Sequence, residues 1–224
     1  MTRPDIAARL IGSERQPLVV VDGFAADPDA LRADATTRLF EPAGRNYPGV
    51  RAPLPSSYLR DVHATLATIL REVFGFRKRI VPLDASFSIV TTVPEQLSLE
   101  QRLPHVDSIE PDRFALVHYL SPHNADGTGF FRHRTTGFEM LDEVRAPVYF
   151  ARLRAELREG GPPAAYAGDE MPLFERTALV EARDNRAVIY RSALLHCGAI
   201  GPATTLSSDP ASGRLTVTAF FTAE

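Results

Sequence analysis

The spacing of hydrophobic residues changes along the chain, from helical periods near the start to strand-like alternation later. Residues 58–74 place apolar side chains three and four positions apart, which predicts an amphipathic helix. Asp27 followed by Pro28 predicts the start of an earlier helix, extending to Leu39. The last strong segment, residues 215–222, alternates so regularly that one face of a strand there would be apolar.

The remaining segments extend this pattern toward a mainly β protein. Strands are predicted at residues 18–21, 80–82, 85–92, 114–120, 128–134, 174–180, 186–190 and 195–200. Residues 1–16 are expected to form a polar lead-in with a helical turn at 6–10, and residues 41–57 a loop. Residues 139–158 read as broadly helical, interrupted at Pro147. The pattern predicts an α+β fold with helices on a long antiparallel β structure, as a single domain.

Composition narrows the class of protein. The chain has 224 residues, 44% of them hydrophobic and 24% charged, which is ordinary for a globular domain. A net charge of −3 gives no reason to expect nucleic acid or a membrane surface as a partner. The single cysteine, Cys197, excludes an internal disulfide and favours a reducing, cytoplasmic location.

Three polar residues form a candidate metal site. His105 and Asp107 are two positions apart, so in an extended segment both side chains point to the same side. His196, ninety-one positions after His105, would complete a set of two histidines and one carboxylate. Such a set suits a non-haem Fe(II) with coordination positions left open. The alternative is that His196 is a hydrogen-bonded core histidine.

A second group of residues could bind a carboxylate. Arg214 precedes the last predicted strand, and Thr216 lies two positions on, hence on the same face. An arginine and a hydroxyl side by side bind a carboxylate well, and Tyr119 could supply a third donor. The alternative for Arg214 is a surface charge at the start of a strand.

Other polar residues are assigned with less support. Three arginines are candidates for holding a substrate, and the alternative for each is a position on a solvated surface: Arg51, Arg132 and Arg191. His118 alternates away from Tyr119 and should lie outside the pocket. Cys197 should be buried as packing and not as a fourth ligand. Two of the other histidines are expected to be exposed or structural: His63 and His123.

The order of these residues resembles a known enzyme family. The motifs that carry the likeness are His105-Val-Asp107, Tyr119-Leu120, Gly127-Thr128-Gly129-Phe130, Leu194-Leu195-His196-Cys197-Gly198 and Arg214-Leu-Thr-Val-Thr-Ala-Phe-Phe221. Together they resemble the Fe(II)/2-oxoglutarate-dependent dioxygenases, nearest to the prolyl 4-hydroxylase-like branch, over residues 80–222. The tract 130–139 is similar to a bacterial group within that superfamily.

The resemblance implies a fold and a set of site residues. It implies a double-stranded β-helix, a jelly-roll or cupin-like barrel, in residues 79–224, with an N-terminal strand and support helices in residues 1–78 of the same domain. The implied Fe(II) ligands are His105, Asp107 and His196. The implied partners of the 2-oxoglutarate C5 carboxylate are Arg214, assisted by Tyr119 and Thr216.

The resemblance also implies an oxidoreductase reaction. A hydroxylase of this kind consumes O2 and 2-oxoglutarate, releases succinate and CO2, and hydroxylates a C–H bond of an amino acid, a peptidyl side chain or a small metabolite. Two features depart from the family pattern: a Gly-Gly-Glu-Thr-type turn appears as Gly127-Thr128-Gly129, and the loop 201–213 lengthens the gap between His196 and Arg214. The position of Arg214 therefore depends most on strand register.

Two other functions fit the same residues. The chain could be a cupin-type metal-binding protein that acts as an isomerase, hydrolase or sensor, or an inactive binding module. Arg214 discriminates against the first, because such proteins need no clamp for a 2-oxo acid. An intact triad argues against the second. The sequence leaves open whether the chain forms a homodimer.

Overall fold

The computed structural model describes residues 3–44, 47–121, 127–168 and 171–223. Within those residues the chain forms eleven strands and three α-helices. In chain order these are β1 Asp5–Ile11, β2 Gln16–Asp22, α1 Pro28–Thr36, β3 Glu41–Pro42, β4 Gly49–Pro53, α2 Tyr58–Glu72, β5 Ile80–Val90, β6 Arg113–Tyr119, β7 Gly127–His133, α3 Arg145–Gly160, β8 Phe174–Glu181, β9 Arg186–Arg191, β10 His196–Ala199 and β11 Leu215–Ala223.

The strands form two antiparallel sheets. The large sheet has eight strands in the order β1-β2-β9-β6-β11-β5-β4-β3, and the small sheet has three in the order β10-β7-β8. Apolar side chains from the inner faces of both sheets pack together between them, including Tyr119 and Val188 of the large sheet and Phe130 and Val180 of the small one. The expectation of a mainly β, antiparallel architecture with helices is confirmed.

The other face of the large sheet is covered by helices. The apolar stripe of α2, with Leu66 and Ile69, packs on Phe87 of β5 and Val217 of β11 in one buried cluster. Strand β11 shows the alternation predicted from sequence, since Val217 and its odd-numbered neighbours face this cluster. Their even-numbered neighbours, such as Thr216, face the space between the sheets. Both helices expected in the first part of the chain are confirmed, and the Asp27 carboxylate caps α1 by accepting from the Ala30 N–H at 2.9 Å.

Helix α3 covers the outer face of the small sheet, where Tyr149 and Leu153 pack on Phe131 and Phe174. The helix begins at Arg145, so the prediction that it starts near residue 139 is wrong. Pro147 lies in its first turn, where the missing N–H leaves no intrahelical hydrogen bond unmade, and it does not interrupt the helix. In the described part of the chain, no helix has the length and apolar character needed to cross a membrane.

Two predictions for the N-terminal part are wrong. Residues 5–11 form strand β1, paired with β2 along its full length, and not a polar lead-in with a helical turn. Part of the expected loop 41–57 forms strands β3 and β4, and β4 pairs with β5 from Gly49 to Pro53. All three strands, β1, β3 and β4, lie at a sheet edge or next to one. Their side chains face solvent on one or both sides, so the sequence lacks the apolar alternation that identifies a strand. The two strands expected at 80–82 and 85–92 are one strand, β5.

The turn between β1 and β2 is held by one buried carboxylate. Glu139 accepts hydrogen bonds from the Ser13 N–H at 2.8 Å, the Ser13 hydroxyl at 2.7 Å and the Glu14 N–H at 3.1 Å. Gly12 has φ +64°, and a Cβ there would come within 1.9 Å of the Glu139 carboxylate. The turn therefore requires glycine both for its backbone angle and for the space that Glu139 occupies.

We expect Glu139→Ala to lower the free energy of unfolding by about 1–3 kcal/mol, because it leaves backbone N–H donors of the turn without their acceptor. Chemical denaturation monitored by circular dichroism measures the change. The matched control is Glu143→Ala, which removes an exposed carboxylate nearby and should change stability little. Equal stability of the two variants would show that Glu139 does not hold the turn.

Candidate metal centre

The three residues expected to bind a metal converge at one point. One potential ligand atom from each of His105, Asp107 and His196 lies within 4.8 Å of the other two. The His196 Nε2 atom is 3.3 Å from Asp107 Oδ2, and the His105 Nε2 atom is 3.8 Å from Asp107 Oδ1. Two nitrogens and one carboxylate at this spacing can share one cation of the size of Fe(II).

Backbone pairing produces this convergence. His105 and His196 exchange two hydrogen bonds, each N–H donating to the other residue's carbonyl at 2.9 Å. The Asp107 N–H donates to the Ser192 carbonyl, also at 2.9 Å. The segment 105–107 is thus an extended stretch docked on the chain that leads into β10. Residues two apart in such a stretch point to the same side, which brings Asp107 and His105 to the His196 ring.

The hydrogen bonds of the two imidazoles engage Nδ1 and leave Nε2 available to a metal. The Nδ1 atom of His196 is 2.9 Å from the Leu194 carbonyl oxygen, and Nδ1 of His105 is 3.5 Å from that of Leu103. A carbonyl only accepts, so Nδ1 carries the proton and Nε2 carries the lone pair. Both Nε2 atoms face Asp107, and second hydrogen bonds of this kind commonly orient metal-binding histidines.

Solvent exposure differs among the three side chains. His105 is 48% exposed, Asp107 is 19% exposed and His196 only 7%. Although solvent reaches the His105 ring, the dense protein around it and the neighbouring His196 imidazole lower the pKa of His105 to about 4, against the opposing charge of Asp107. His105 is therefore neutral at physiological pH, which is the form that binds a metal. The donor set, with a neutral His105, fits a divalent transition metal.

The triad lies on the wall of a cavity of about 380 Å³ between the sheets. Arg214 and Thr216 line the same cavity, as the sequence predicted for a carboxylate-binding pair. The Thr216 hydroxyl donates to the Ser88 carbonyl at 3.1 Å. The Arg214 Nη2 donates to the Gly127 carbonyl at 3.0 Å, and its guanidinium lies 5.7 Å from the centre of the Tyr119 ring. These contacts hold the arginine in place beside the cavity.

Tyr119 is placed differently from the expectation that it would bind the co-substrate. Its side chain is fully buried beneath Arg214, and it does not line the cavity. Its hydroxyl is 2.6 Å from the Thr128 hydroxyl, which does line the cavity. The register explains the difference: Tyr119 pairs with Thr216 on the next strand, but its long ring extends past the cavity toward β7. Thr128 therefore lines the cavity at the position at which Tyr119 was expected.

Of the three arginines proposed for substrate binding, only Arg51 lines the cavity. Arg132 forms an ion pair with Glu175, its register partner on β8. Arg191 stacks over aromatic rings packed on the outer face of the large sheet and donates to the Pro111 carbonyl at 2.8 Å. Its neighbour Tyr190 faces the cavity, so alternation sends Arg191 to the other side. Neither Arg132 nor Arg191 therefore lines the cavity at which the sequence suggested that they bind a substrate.

The sequence also predicted the positions of Cys197 and of three histidines outside the triad. His118 is buried on the helix side of the large sheet and contacts Tyr58 Oη at 3.1 Å, so its expected position outside the pocket is confirmed. His63 is exposed on α2. Cys197 packs in the cluster beneath α3, as expected, and burial raises the pKa of its thiol to about 12. The prediction for His123 falls outside the described residues.

Two tyrosines at the cavity were not found from sequence. Tyr47 comes from the connection between β3 and β4, and Tyr166 from the segment after α3. The Tyr166 hydroxyl donates to the Thr92 carbonyl at 2.6 Å, and burial raises the pKa of Tyr166. Neither residue lies in a periodic segment, so no pattern in the sequence indicated a position at the site.

The fold is similar to that of solved structures. HygX from Streptomyces hygroscopicus with iron bound is 14% identical, with 94% of this chain and 83% of that chain covered and a TM-score of 0.51. The non-heme alpha ketoglutarate dependent epimerase SnoN from nogalamycin biosynthesis is 14% identical, with 94% and 80% covered and a TM-score of 0.50. At such identities the likeness establishes the fold alone.

HygX has also been crystallised with nickel and 2-oxoglutarate, at 15% identity, 94% and 84% coverage and a TM-score of 0.49. Iron is bound in one protein of similar fold, and this chain has a His–Asp–His set able to hold a metal. No curated protein matches the sequence. The model of one protein family, DUF6445, described as a family of unknown function, matches residues 2–221. The chain therefore belongs to the DUF6445 family.

Proposed function

We propose that this chain is an Fe(II)- and 2-oxoglutarate-dependent oxygenase of the prolyl 4-hydroxylase-like type, with a double-stranded β-helix core. The observation that carries the proposal is the convergence of His105, Asp107 and His196 on the wall of a cavity that also presents Arg214. A metal-binding protein without oxygenase activity has no need of a partly buried cation in the same cavity. By contrast, 2-oxoglutarate has a second carboxylate in addition to its 2-oxo acid group, and that carboxylate needs a cation to bind it.

The residues around the triad have defined roles in this proposal. His105, Asp107 and His196 would hold the iron through two Nε2 atoms and one carboxylate oxygen. Bound iron would supply the redox chemistry, in which O2 is reduced while 2-oxoglutarate is oxidatively decarboxylated to succinate and CO2 and a substrate C–H bond is hydroxylated. Arg214 binds the C5 carboxylate of 2-oxoglutarate and fixes its orientation. Thr216 assists when its hydroxyl turns from the Ser88 carbonyl toward that carboxylate. Apolar side chains that line the cavity, such as Val117, limit the access of water to it.

The similar structures support the class of enzyme more than the type of reaction. HygX contains iron, and SnoN is an alpha ketoglutarate dependent epimerase. We propose hydroxylation here, because the carboxylate of Asp107 completes the protein ligand set and leaves the remaining positions to co-substrate and oxygen. The proposed substrate is an amino acid, a peptidyl side chain or a small metabolite. The single, buried Cys197 is consistent with a proposed cytoplasmic location.

Removing the carboxylate ligand should abolish metal binding at this site. We expect Asp107→Ala to lose tight binding of Fe(II), with loss of succinate formation from 2-oxoglutarate, because two imidazoles alone retain neither the charge nor the geometry of the site. Anaerobic calorimetric titration with Fe(II) measures binding, and succinate release measures turnover. The matched control is His63→Ala, which removes an exposed histidine far along the sequence from the triad. Full turnover by Asp107→Ala would contradict the ligand assignment.

Removing the charge of Arg214 should weaken the binding of 2-oxoglutarate and leave the binding of the metal unchanged. We expect Arg214→Met to raise the KM for 2-oxoglutarate by about tenfold or more, since a charge-assisted bidentate contact is lost. Fe(II) affinity should stay unchanged, because Arg214 is not a ligand. Thermal unfolding with Fe(II), with and without 2-oxoglutarate, separates the two effects. A wild-type chain that responds to Fe(II) but not to 2-oxoglutarate would instead support a cupin-type metal-binding protein, and one that responds to neither an inactive module.

A further inference from the structure

The cavity contains a second arginine in addition to Arg214. Arg51 extends from strand β4 and lines the same cavity as the metal triad. Its side chain is only 27% exposed, and its Nε atom is buried with no hydrogen-bond acceptor in the described part of the chain. A buried donor without an acceptor destabilises the folded protein. A bound molecule that brings an acceptor would remove that cost.

The contacts of Arg51 with the protein leave room for an anion. Its Nη1 atom is 3.4 Å from Asp84 Oδ2, and the Asp84 side chain is 55% exposed, so this ion pair is long and well solvated. Such pairs contribute little to stability. The guanidinium also lies over the Tyr47 ring, 4.9 Å from its centre. Stacking occupies one face of the guanidinium plane and leaves its N–H edge available for a planar, bidentate acceptor such as a carboxylate.

Strand register shows where this edge lies relative to the metal site. Arg51 starts in the row of the sheet that contains Ser88 and Thr216. Its guanidinium reaches Asp84, which belongs to the row that continues through Phe220 and Ala115 to Tyr190. The Tyr190 ring is 4.7 Å from the His196 ring. The guanidinium of Arg51 is therefore at the level of the metal site along the strands, and displaced across the sheet.

The displacement separates an anion at Arg51 from the metal. Three strand spacings lie between β9 and β5, and at about 4.8 Å each they amount to about 14 Å across the sheet. A carboxylate held by Arg51 is too far across the sheet to coordinate the metal. The side chains that line the cavity between the two positions include apolar ones, Ala115 and Phe220. The space suits a molecule with an apolar body and a carboxylate at one end.

We propose that Arg51 binds the carboxylate of the substrate that is oxidised, so that this substrate is a carboxylic acid whose apolar part extends toward the metal. The inference rests on the proposed function, because it assigns the co-substrate carboxylate to Arg214 and the substrate carboxylate to Arg51. Tyr47 acts as a positioning residue that holds the guanidinium plane. The cavity thus has one arginine for each of its two organic acids.

The first experiment compares the two arginines in binding the co-substrate. The anaerobic complex of Fe(II), 2-oxoglutarate and protein is titrated through its visible charge-transfer band. Arg51→Gln should leave the Kd of 2-oxoglutarate within about twofold of wild type, whereas Arg214→Gln should weaken it by about tenfold or more. Loss of 2-oxoglutarate binding in Arg51→Gln alone would make Arg51 the co-substrate clamp and overturn the inference, with the proposed function intact. Absence of the band in wild type would overturn the proposed function.

The second experiment tests recognition of the substrate carboxylate. Protein loaded with Ni(II) and 2-oxoglutarate, which cannot turn over, is titrated calorimetrically with 4-phenylbutyrate and with its uncharged amide, 4-phenylbutanamide. Wild type should bind the acid at least about tenfold more tightly than the amide. Arg51→Gln should abolish that difference, and Arg51→Lys should restore part of it, because the charge returns without the planar fork.

The control for this comparison is Arg60→Gln, which removes an exposed arginine on α2 and should retain the wild-type preference. Thermal unfolding of each variant verifies that it is folded. Equal affinity for acid and amide in wild type, no binding of the acid, or a preference that survives Arg51→Gln would each overturn the inference. Because these titrations measure binding and not turnover, their outcome is separate from that of the iron and 2-oxoglutarate assay.

Discussion

Two backbone hydrogen bonds between His105 and His196 determine the geometry of the whole site. Each is 2.9 Å long, and together they fasten an extended segment to the chain that leads into β10. Backbone contacts of this kind do not depend on side-chain rotamers, so they keep the backbone of the two histidines adjacent, and the Nδ1 contacts with Leu103 and Leu194 orient the rings. The third residue of the triad, Asp107, is fixed in the same way, through the backbone of Ser192. A site arranged by backbone pairing loses little conformational entropy when it binds a cation.

The two faces of the large sheet differ in polarity, and this difference allows the protein to contain a polar cavity without losing much stability. One face is buried under α1 and α2, where residues such as Phe87 and Val217 provide most of the apolar burial. The other face carries hydroxyls close to the cavity, and these are satisfied by one another and by the backbone: Ser88 contacts Thr218 at 2.8 Å, and Thr216 donates to the Ser88 carbonyl. Because the polar groups are paired, burying them costs little.

The sequence allowed the centre of the site to be predicted, while much of its surroundings could not be. His-x-Asp spacing and the alternation of β11 are local patterns, and both correspond to the structure. Arg132 and Arg191 were misplaced because their position depends on which face of a strand is inside, and an ion pair or an aromatic stack decided it. Strands β1 and β4 were missed because edge strands lack an apolar period. Tyr166 reaches the cavity from an irregular segment, whose path is set by tertiary packing.

The residues that surround the triad come from two different parts of the fold. The part of the chain from β5 to β11, including the segments between its strands, supplies the metal triad, Arg214 and Thr216. The part of the chain before β5 supplies Arg51, from β4, and Tyr47, from the connection that precedes β4. Strand β4 joins the sheet only through β5 and the two-residue β3, so its sequence can change without disturbing the metal set. Substrate recognition by Arg51 therefore resides on an element that the chemistry does not constrain, which is where a shared fold can acquire different substrates.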